Sequence, residues 1–394
     1  MIADKTLFYM TALLIGVGIA FSLSLPVFTV LYLDFSQYHF FIRQGIVGLS
    51  AIFIIWGLSQ LEPDKKIFGN VKTFEFLGFA LFFGSAFVIM IMQFLPSSLV
   101  PLTGGAKRWI RLGPISLSPV EFFKVGFVFF LAWSFTRKLD HQKKRLKDEF
   151  KLLMPYFIVL GIASFFILIL QKDLGQMVVL LITLMVLATF AGISKKFFAL
   201  VSVMGAFALA AAIITQPHRI RRFEGWWVTI QDMILPFLPK SVADFLYVAD
   251  AEEPYQITHS LNAMYHGGFF GSGLGGGTFK LGFLSEVHTD FVLAGMAEEI
   301  GFLGLIFICI CMIVLIFRIL KISARSSDNV YHLFSLGIGL IIAVAFIMNA
   351  FGISSIIPIK GIAVPFLSYG GSSVLALSFA IGMVLMVSKK VDLT

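Results

Sequence analysis

The sequence predicts an all-α polytopic membrane protein of about ten transmembrane helices, and three observations carry that prediction. Of its 394 residues 58% are hydrophobic and only 13% charged, against a charged share of about 25% in soluble domains. Its mean hydropathy is +0.94. Apolar runs of spanning length, about 17 to 25 residues, recur at 7–30, 40–58, 75–95, 119–136, 153–170, 174–191, 197–215, 287–317, 330–350 and 369–388. The first run has no small-residue cleavage site and reads as a retained helix. The whole of 1–394 reads as one transmembrane domain, with a large outer loop at 216–286 between helices seven and eight.

Charge sets the expected orientation. With both termini in the cytoplasm, the inner segments hold 18 of the 30 Lys and Arg, including the run RKLDHQKKRLKDEFK at 137–151, as the positive-inside rule requires. The net charge of +8 is therefore a topology signal, and no nucleic-acid partner is expected. Cys309 and Cys311 are two apart in one apolar helix, too divergent to bridge. His218, His259, His266 and His288 lack metal-binding spacing, so no metal site is assigned.

The exceptions to the charge rule point to function. The outer loop PLTGGAKRWIRLGPISLSPVEFFKV keeps Lys107, Arg108 and Arg111 beside Trp109, which hints at an anionic ligand. In the next outer segment Trp226 and Trp227, beside Arg221 and Arg222, read as interfacial anchors. The amphipathic stretch after Pro254 reads as a helix along the membrane surface, leading into a flexible GSGLGGG turn.

The stretch LSEVHTDFVLAGMAEEIGFLG (284–304) places Glu286, His288, Asp290, Glu298 and Glu299 at the head of helix eight and inside it. A helix starting near Val287 puts Asp290 in its first turn, where free amides and the dipole favour an ionised carboxylate. Ala294, Ala297 and Gly301 then form a small-residue strip on the face of Asp290, open to another helix or a lipid tail. Glu298 and Glu299 fall about 12 Å deeper and need partners, protons or water there. Glu121, Lys124, Asp173 and Lys360 complete an outer set of mixed charges, with Asp173 and Lys124 expected as a pair lining the cavity.

These stretches resemble the SEDS (shape, elongation, division and sporulation) family. GAKRWIRLGPISLSPVEFFK is similar to its loop motif, QKDLGQ to Q-P-D-x-G, and YQITHSLNAMYHGGFFGSGLGGG to its glycine-rich run. The helix-eight stretch is similar to L-P-E-x-H-T-D-F with A-E-E-x-G, and PIKGIAVPFLSYGGSS to the closing motif. Lys172 and Ser285 stand where the family has proline, and 223–250 is longer than the family norm.

The resemblance implies a peptidoglycan glycosyltransferase that polymerises lipid II into glycan strands on the outer face of the cytoplasmic (inner) membrane. It implies Asp290 as the catalytic group, a base acting on the acceptor sugar hydroxyl. With that chemistry, Lys107, Arg108, Trp109, Arg111 and Lys360 are candidates for the pyrophosphate-linked substrate, and Glu286 and His288 for orienting the base. Glu121, Lys124, Asp173, Glu298 and Glu299 form a cavity-lining or structural charge network. No organic cofactor is implied; a divalent cation, Mg2+ or Mn2+, is compatible with a pyrophosphate leaving group. Expected partners are lipid II and nascent glycan, a class B penicillin-binding protein, other division-complex proteins and membrane lipids. The division type of the family is the closer match; an elongation-type polymerase, a lipid II flippase and a non-catalytic scaffold are the alternatives.

Overall fold

The computed structural model describes residues 3–103, 105–113, 115–138, 146–248, 255–358 and 361–392. The helices are α1 (Lys5–Ser24), a short α2 (Val27–Tyr32), α3 (His39–Gln60), α4 (Thr73–Ile91), α5 (Pro119–Lys138) and α6 (Leu146–Ser164). They continue as α7 (Leu174–Phe190), α8 (Lys195–Ile214), α9 (Pro217–Ile234), α10 (Lys240–Leu246), α11 (Tyr255–Gly267), α12 (Val292–Arg325), α13 (Asn329–Ile353) and α14 (Gly371–Ser388). Among the described residues nine helices are long and apolar enough to span a membrane, and α7 is a shorter apolar tenth. They fall on the ten apolar runs of the sequence. The basic run 137–151 lies partly outside the described residues, which exclude 139–145.

Side-chain caps set several helix starts: Asp4 accepts from Leu7 N, Asp173 from Gln176 N, Ser194 from Phe197 N and Asp328 from Val330 N. The buried centre is made by α5, α13 and α14, where Phe127, Phe129, Phe334, Ile342, Ala380 and Met383 are fully enclosed. By contrast α8 buries only Phe197 and Val201, as a lipid-facing helix can because its backbone bonds are internal.

Two antiparallel hairpins form the loop between α4 and α5. Leu102 pairs with Lys107 in the first, and Arg111 with Ser116 in the second. At the opposite end of the bundle Asp64 binds Lys72 (2.8 Å), Lys390 (3.2 Å) and the hydroxyl of Tyr331 (2.7 Å), joining the α3–α4 loop to the start of α13 and to the segment after α14. There too, Asp4 pairs with Arg318 at 2.6 Å, and its N–H donates to Ser388 Oγ at 3.0 Å.

Helix eight departs from expectation. It does not run unbroken from 287: residues 285–291 form turns, α12 starts at Val292, and Gly301 interrupts it at φ +68°, ψ −174°. Such a break within a spanning helix must have its backbone groups satisfied by protein, and the glycine-rich segment does this. Ser272 N donates to Glu298 O (2.9 Å) and Gly273 N to Glu299 O (3.0 Å), while Phe302 N and Leu303 N donate to Gly268 O (2.9 Å) and Phe269 O (3.2 Å). A Cβ on Gly271 would collide with Glu299 O, and one on Gly301 with Gly271 N. The glycine turn is thus a tight backbone splice.

The small-residue strip is filled accordingly. A Cβ at Gly267 of α11 would collide with Ala297 O, and α11 buries Ile257, Ser260, Ala263 and Gly267. The expected surface helix is packed against α12 by its small side chains. The indole N–H groups of Trp226 and Trp227 donate to Ser355 O and Leu246 O, both at 2.8 Å, which ties the helical hairpin 217–248 together and to the end of α13.

Candidate active site

The segment that carries Asp290 is a turn rather than a helix. Glu286 adopts φ +57°, and its carbonyl accepts from Thr289 N (3.0 Å) and Phe291 N (3.3 Å). Its carboxylate accepts from Thr289 Oγ1 at 2.9 Å. Asp290 therefore precedes the helix, and the N-terminal amides of α12 are not the source of its charge preference.

The turn is held from across the sequence by the closing loop between α13 and α14. Tyr369 N donates to His288 O (2.8 Å), and Ser368 Oγ donates to Thr289 O (2.6 Å) while accepting from Val364 N (2.8 Å). Gln44 on α3 donates from Nε2 to Ser368 O at 3.3 Å. Gly361, at φ +63°, brings its backbone against the Asp290 carboxylate.

That carboxylate is half-buried. Desolvation, then the negative charges of Glu286 and Asp173, push its pKa up to about 6 against the pull of Arg222. A carboxyl poised near neutrality can both take and release a proton. His288 is buried, its ring 4.9 Å from that of Phe40 and 5.7 Å from that of Tyr369, and burial lowers its pKa, favouring neutral imidazole. Among the described residues neither His288 nor Glu286 hydrogen-bonds the Asp290 carboxylate; Glu286 acts on it through charge.

The cations divide into two groups. Lys107 donates to the carbonyls of Gln93 (2.9 Å) and Leu95 (2.6 Å), and Arg108 to those of Gln171 (2.7 Å) and Lys172 (3.4 Å). Both fasten loop backbone. Arg111 and Trp109 instead line a cavity of about 430 Å³ together with Arg43, Pro101, Thr103, Gly113 and Ser116. Arg43 was not anticipated; the available signal was an arginine within an apolar run. Lys360 lies outside the described residues.

The cavity is linked to the Asp290 turn through the closing loop and the first turn of α14. Ser372 Oγ donates to Ser116 O (3.1 Å) and accepts from Ser118 N (2.8 Å), and Arg43 adjoins Gln44, which holds Ser368.

The remaining carboxylates have defined partners. Lys124 pairs with Glu121 at 2.9 Å, not with Asp173 as expected, and Glu121 also accepts from Gln176 Nε2 at 2.9 Å. Asp173 caps α7, and burial raises its pKa. The preceding Lys172 has φ +54°, which proline cannot adopt, so the departure from the family motif has a local backbone counterpart. Glu298 accepts from Thr278 N (2.6 Å), Phe279 N (3.1 Å) and His266 Nδ1 (3.1 Å). Glu299 binds Ser24 and pairs with Lys280 at 2.6 Å. Lys280, only 2% exposed along its side chain, is a buried partner that the sequence pattern did not identify.

Among the described residues no three Asp, Glu, His or Cys side chains come together as a metal-holding group. The arrangement offers a half-buried carboxyl of raised pKa, Asp290, and a separate cationic, aromatic-edged cavity. That pairing suits proton removal from a hydroxyl during transfer of a group attached to an anionic leaving group.

The FtsW/RodA/SpoVE family model, described as cell cycle protein, matches residues 4–393. A Helicobacter pylori protein named "Probable peptidoglycan glycosyltransferase FtsW" is 47% identical over 395 residues, 99% of each chain. The like-named Haemophilus influenzae protein is 31% identical over 391 residues, 97% of this chain and 89% of that one. Of solved structures, a chain from "Structural coordination of polymerization and crosslinking by a peptidoglycan synthase complex" is similar at TM-score 0.66 and 21% identity, covering 98% of both chains. Thermus thermophilus rod shape determining protein RodA is similar at TM-score 0.63 and 21% identity, covering 100% of this chain and 99% of that one. The structural likeness shows the fold.

Proposed function

The chain belongs to the FtsW/RodA/SpoVE (SEDS) family and is a peptidoglycan glycosyltransferase, and from that premise we propose that it polymerises lipid II into glycan strands on the outer face of the cytoplasmic membrane during cell division. The observation that carries the catalytic reading is Asp290: a half-buried carboxyl of raised pKa, walled by Gly361 and the closing loop. The division role is supported by 47% identity to a relative named FtsW.

The proposed step uses this chain's own residues. Asp290 takes the proton of the acceptor sugar hydroxyl, and the resulting oxygen nucleophile attacks the donor anomeric carbon. The new glycosidic C–O bond forms as the bond to pyrophosphate breaks, and the prenyl pyrophosphate leaves with the electron pair. Arg111 and Arg43 stabilise that negative charge, and Trp109 packs on sugar or lipid. Lys107 and Arg108 shape the loop that presents Arg111. No second carboxylic acid is required, because pyrophosphate leaves without prior protonation.

In this reading both termini lie in the cytoplasm, the chain is one transmembrane domain, and a class B penicillin-binding protein supplies cross-linking. The similar solved chain comes from a complex whose title couples polymerization with crosslinking, which supports that choice of partner.

The test is lipid II polymerisation by purified protein with its cognate penicillin-binding partner. Long glycan from wild type and none from an equally folded Asp290→Asn variant is the expected result. Equal product from both would remove Asp290 as the base, and no product from either would favour a flippase or scaffold.

A further inference from the structure

Asn349 stands in the run IIAVAFIMNAFGI of α13, a spanning helix whose own backbone bonds do not need it. A buried amide in such a place is costly unless its hydrogen bonds are made. Asn349 is 5% exposed, and its Nδ2 donates to two carbonyls at once: Asp290 O at 2.6 Å and Ile362 O at 2.7 Å. The two acceptors fix the amide's orientation, because the flipped side chain would aim Oδ1 at two carbonyl oxygens.

Those carbonyls belong to the two strands of chain that form the walls around the base. One is the carbonyl of Asp290 itself. The other belongs to the residue following Gly361, whose backbone lies against the Asp290 carboxylate. A single side chain thereby sets the turn and the closing loop at a fixed separation.

Its mount is also anchored. At the same end of α13, Ile353 O accepts from Ser260 Oγ of α11 (3.1 Å), and Ser355 O accepts from Trp226 Nε1 of α9 (2.8 Å).

We propose that Asn349 is a positioning residue for the glycosyl-transfer base: it clamps the Asp290 and Ile362 carbonyls together and so holds the Asp290 carboxylate at the reacting hydroxyl. This rests on the reading of Asp290 as the base. Among the described residues the charged groups acting on that carboxylate are Glu286 of its own turn, Asp173 at the start of α7 and Arg222 of α9. Releasing the clamp changes its exposure and its distance from all three, while leaving the Arg43, Trp109 and Arg111 cavity in place.

The experiment is full-length protein with its penicillin-binding partner in lipid nanodiscs, assayed for lipid II polymerisation across pH. The variants are Asn349→Leu, which removes both donors, and Asn349→His, which keeps a ring N–H donor. A displacement of about 1 Å at a reacting group costs about 100-fold. The expected result for Asn349→Leu is a fall in kcat of about that size, with KM within twofold and the acid limb of the rate profile moved down from about pH 6. Asn349→His should recover at least about tenfold of the loss. A lost structural contact would lower the folded fraction without moving the acid limb. If Asn349→Leu does not fold, Asn349→Ser carries the same readout.

Unchanged kcat and acid limb in the folded variants, with Asp290→Asn inactive, would overturn the positioning role while leaving the base intact. An active Asp290→Asn enzyme would instead overturn the base itself, and the proposal with it.

Discussion

Gly361 faces Asp290 so closely that a Cβ on the glycine would stand 3.0 Å from Oδ2 of the carboxylate and 3.8 Å from its Cγ. The two residues are far apart in sequence, and the closing loop brings the backbone of one onto the side chain of the other. At φ +63° this position also disfavours any residue with a Cβ.

Gly361→Ala is therefore expected to combine a left-handed strain of about 1 to 2 kcal/mol with displacement of the carboxylate. Glycan synthesis should fall by more than about tenfold, while lipid II binding changes little. Separate measurements of kcat and KM check this, and wild-type kcat in the variant would contradict the contact.

The raised pKa of Asp290 has two consequences of opposite sign. Activity requires the ionised base, so kcat/KM should fall about tenfold per pH unit below about 6, where the carboxyl is protonated. Stability runs the other way. Between the ordinary carboxylate range and about 6 the folded protein holds a proton that the unfolded chain has released, so stability decreases as pH rises through that window. Allowing for partial exposure, the ionised form costs roughly 2 kcal/mol. Asp290→Asn should thus be inactive yet more heat-stable than wild type at pH 7.5, and a lower Tm in the variant would count against the burial argument.

Arg111 and Lys107 are expected to separate binding from stability. Arg111→Gln removes a charge from the cavity and should raise KM for lipid II about tenfold or more, since a hydrogen bond to a charged group contributes about 1.5 to 3 kcal/mol. Its Tm should stay near wild type. Lys107→Met leaves the carbonyls of Gln93 and Leu95 without their cation and should lower Tm with KM little changed. The reverse pattern would exchange the roles given to the two residues.

The Lys280–Glu299 pair is nearly sealed, with side-chain exposures of 2% and 0%. Removing one partner strands the other, at a cost of about 3 to 5 kcal/mol. Lys280→Met or Glu299→Gln alone should sharply lower the unfolding temperature in nanodiscs. The double variant should recover part of the loss, and strictly additive losses would argue against direct pairing.

The spanning helices were legible because an apolar run of that length has few other stable uses. The Asp290 motif was legible as a set of residue types, but its local structure was not. Residues 285–291 can be written as the first turns of a helix; hydrogen bonds from Ser368 and Tyr369 hold them as a turn instead, and no local pattern announces such a partner. The break at Gly301 was hidden for the same reason, since the glycine-rich segment that satisfies it approaches from outside the helix.

Asn349 and Arg43 left a faint signal, a lone polar or charged residue inside an apolar run. Spacing alone could not say what either faces. The loop cations were visible as a group, yet only coordinates separate Lys107 and Arg108, which bind carbonyls, from Arg111, which lines the cavity.

The closing loop also orders events during synthesis. The ribosome delivers Asp290 well before Gly361, Ser368 and Tyr369, and the amide of Asp4 waits for Ser388, 384 residues later. Helices can enter the bilayer one by one, but the pocket around Asp290 cannot close until α13, the closing loop and α14 have been inserted. A nascent chain halted between α13 and α14 would already be a multi-spanning protein with Asp290 in it. The pocket around Asp290 would still be open, so it is completed only once α14 has followed α13 into the membrane.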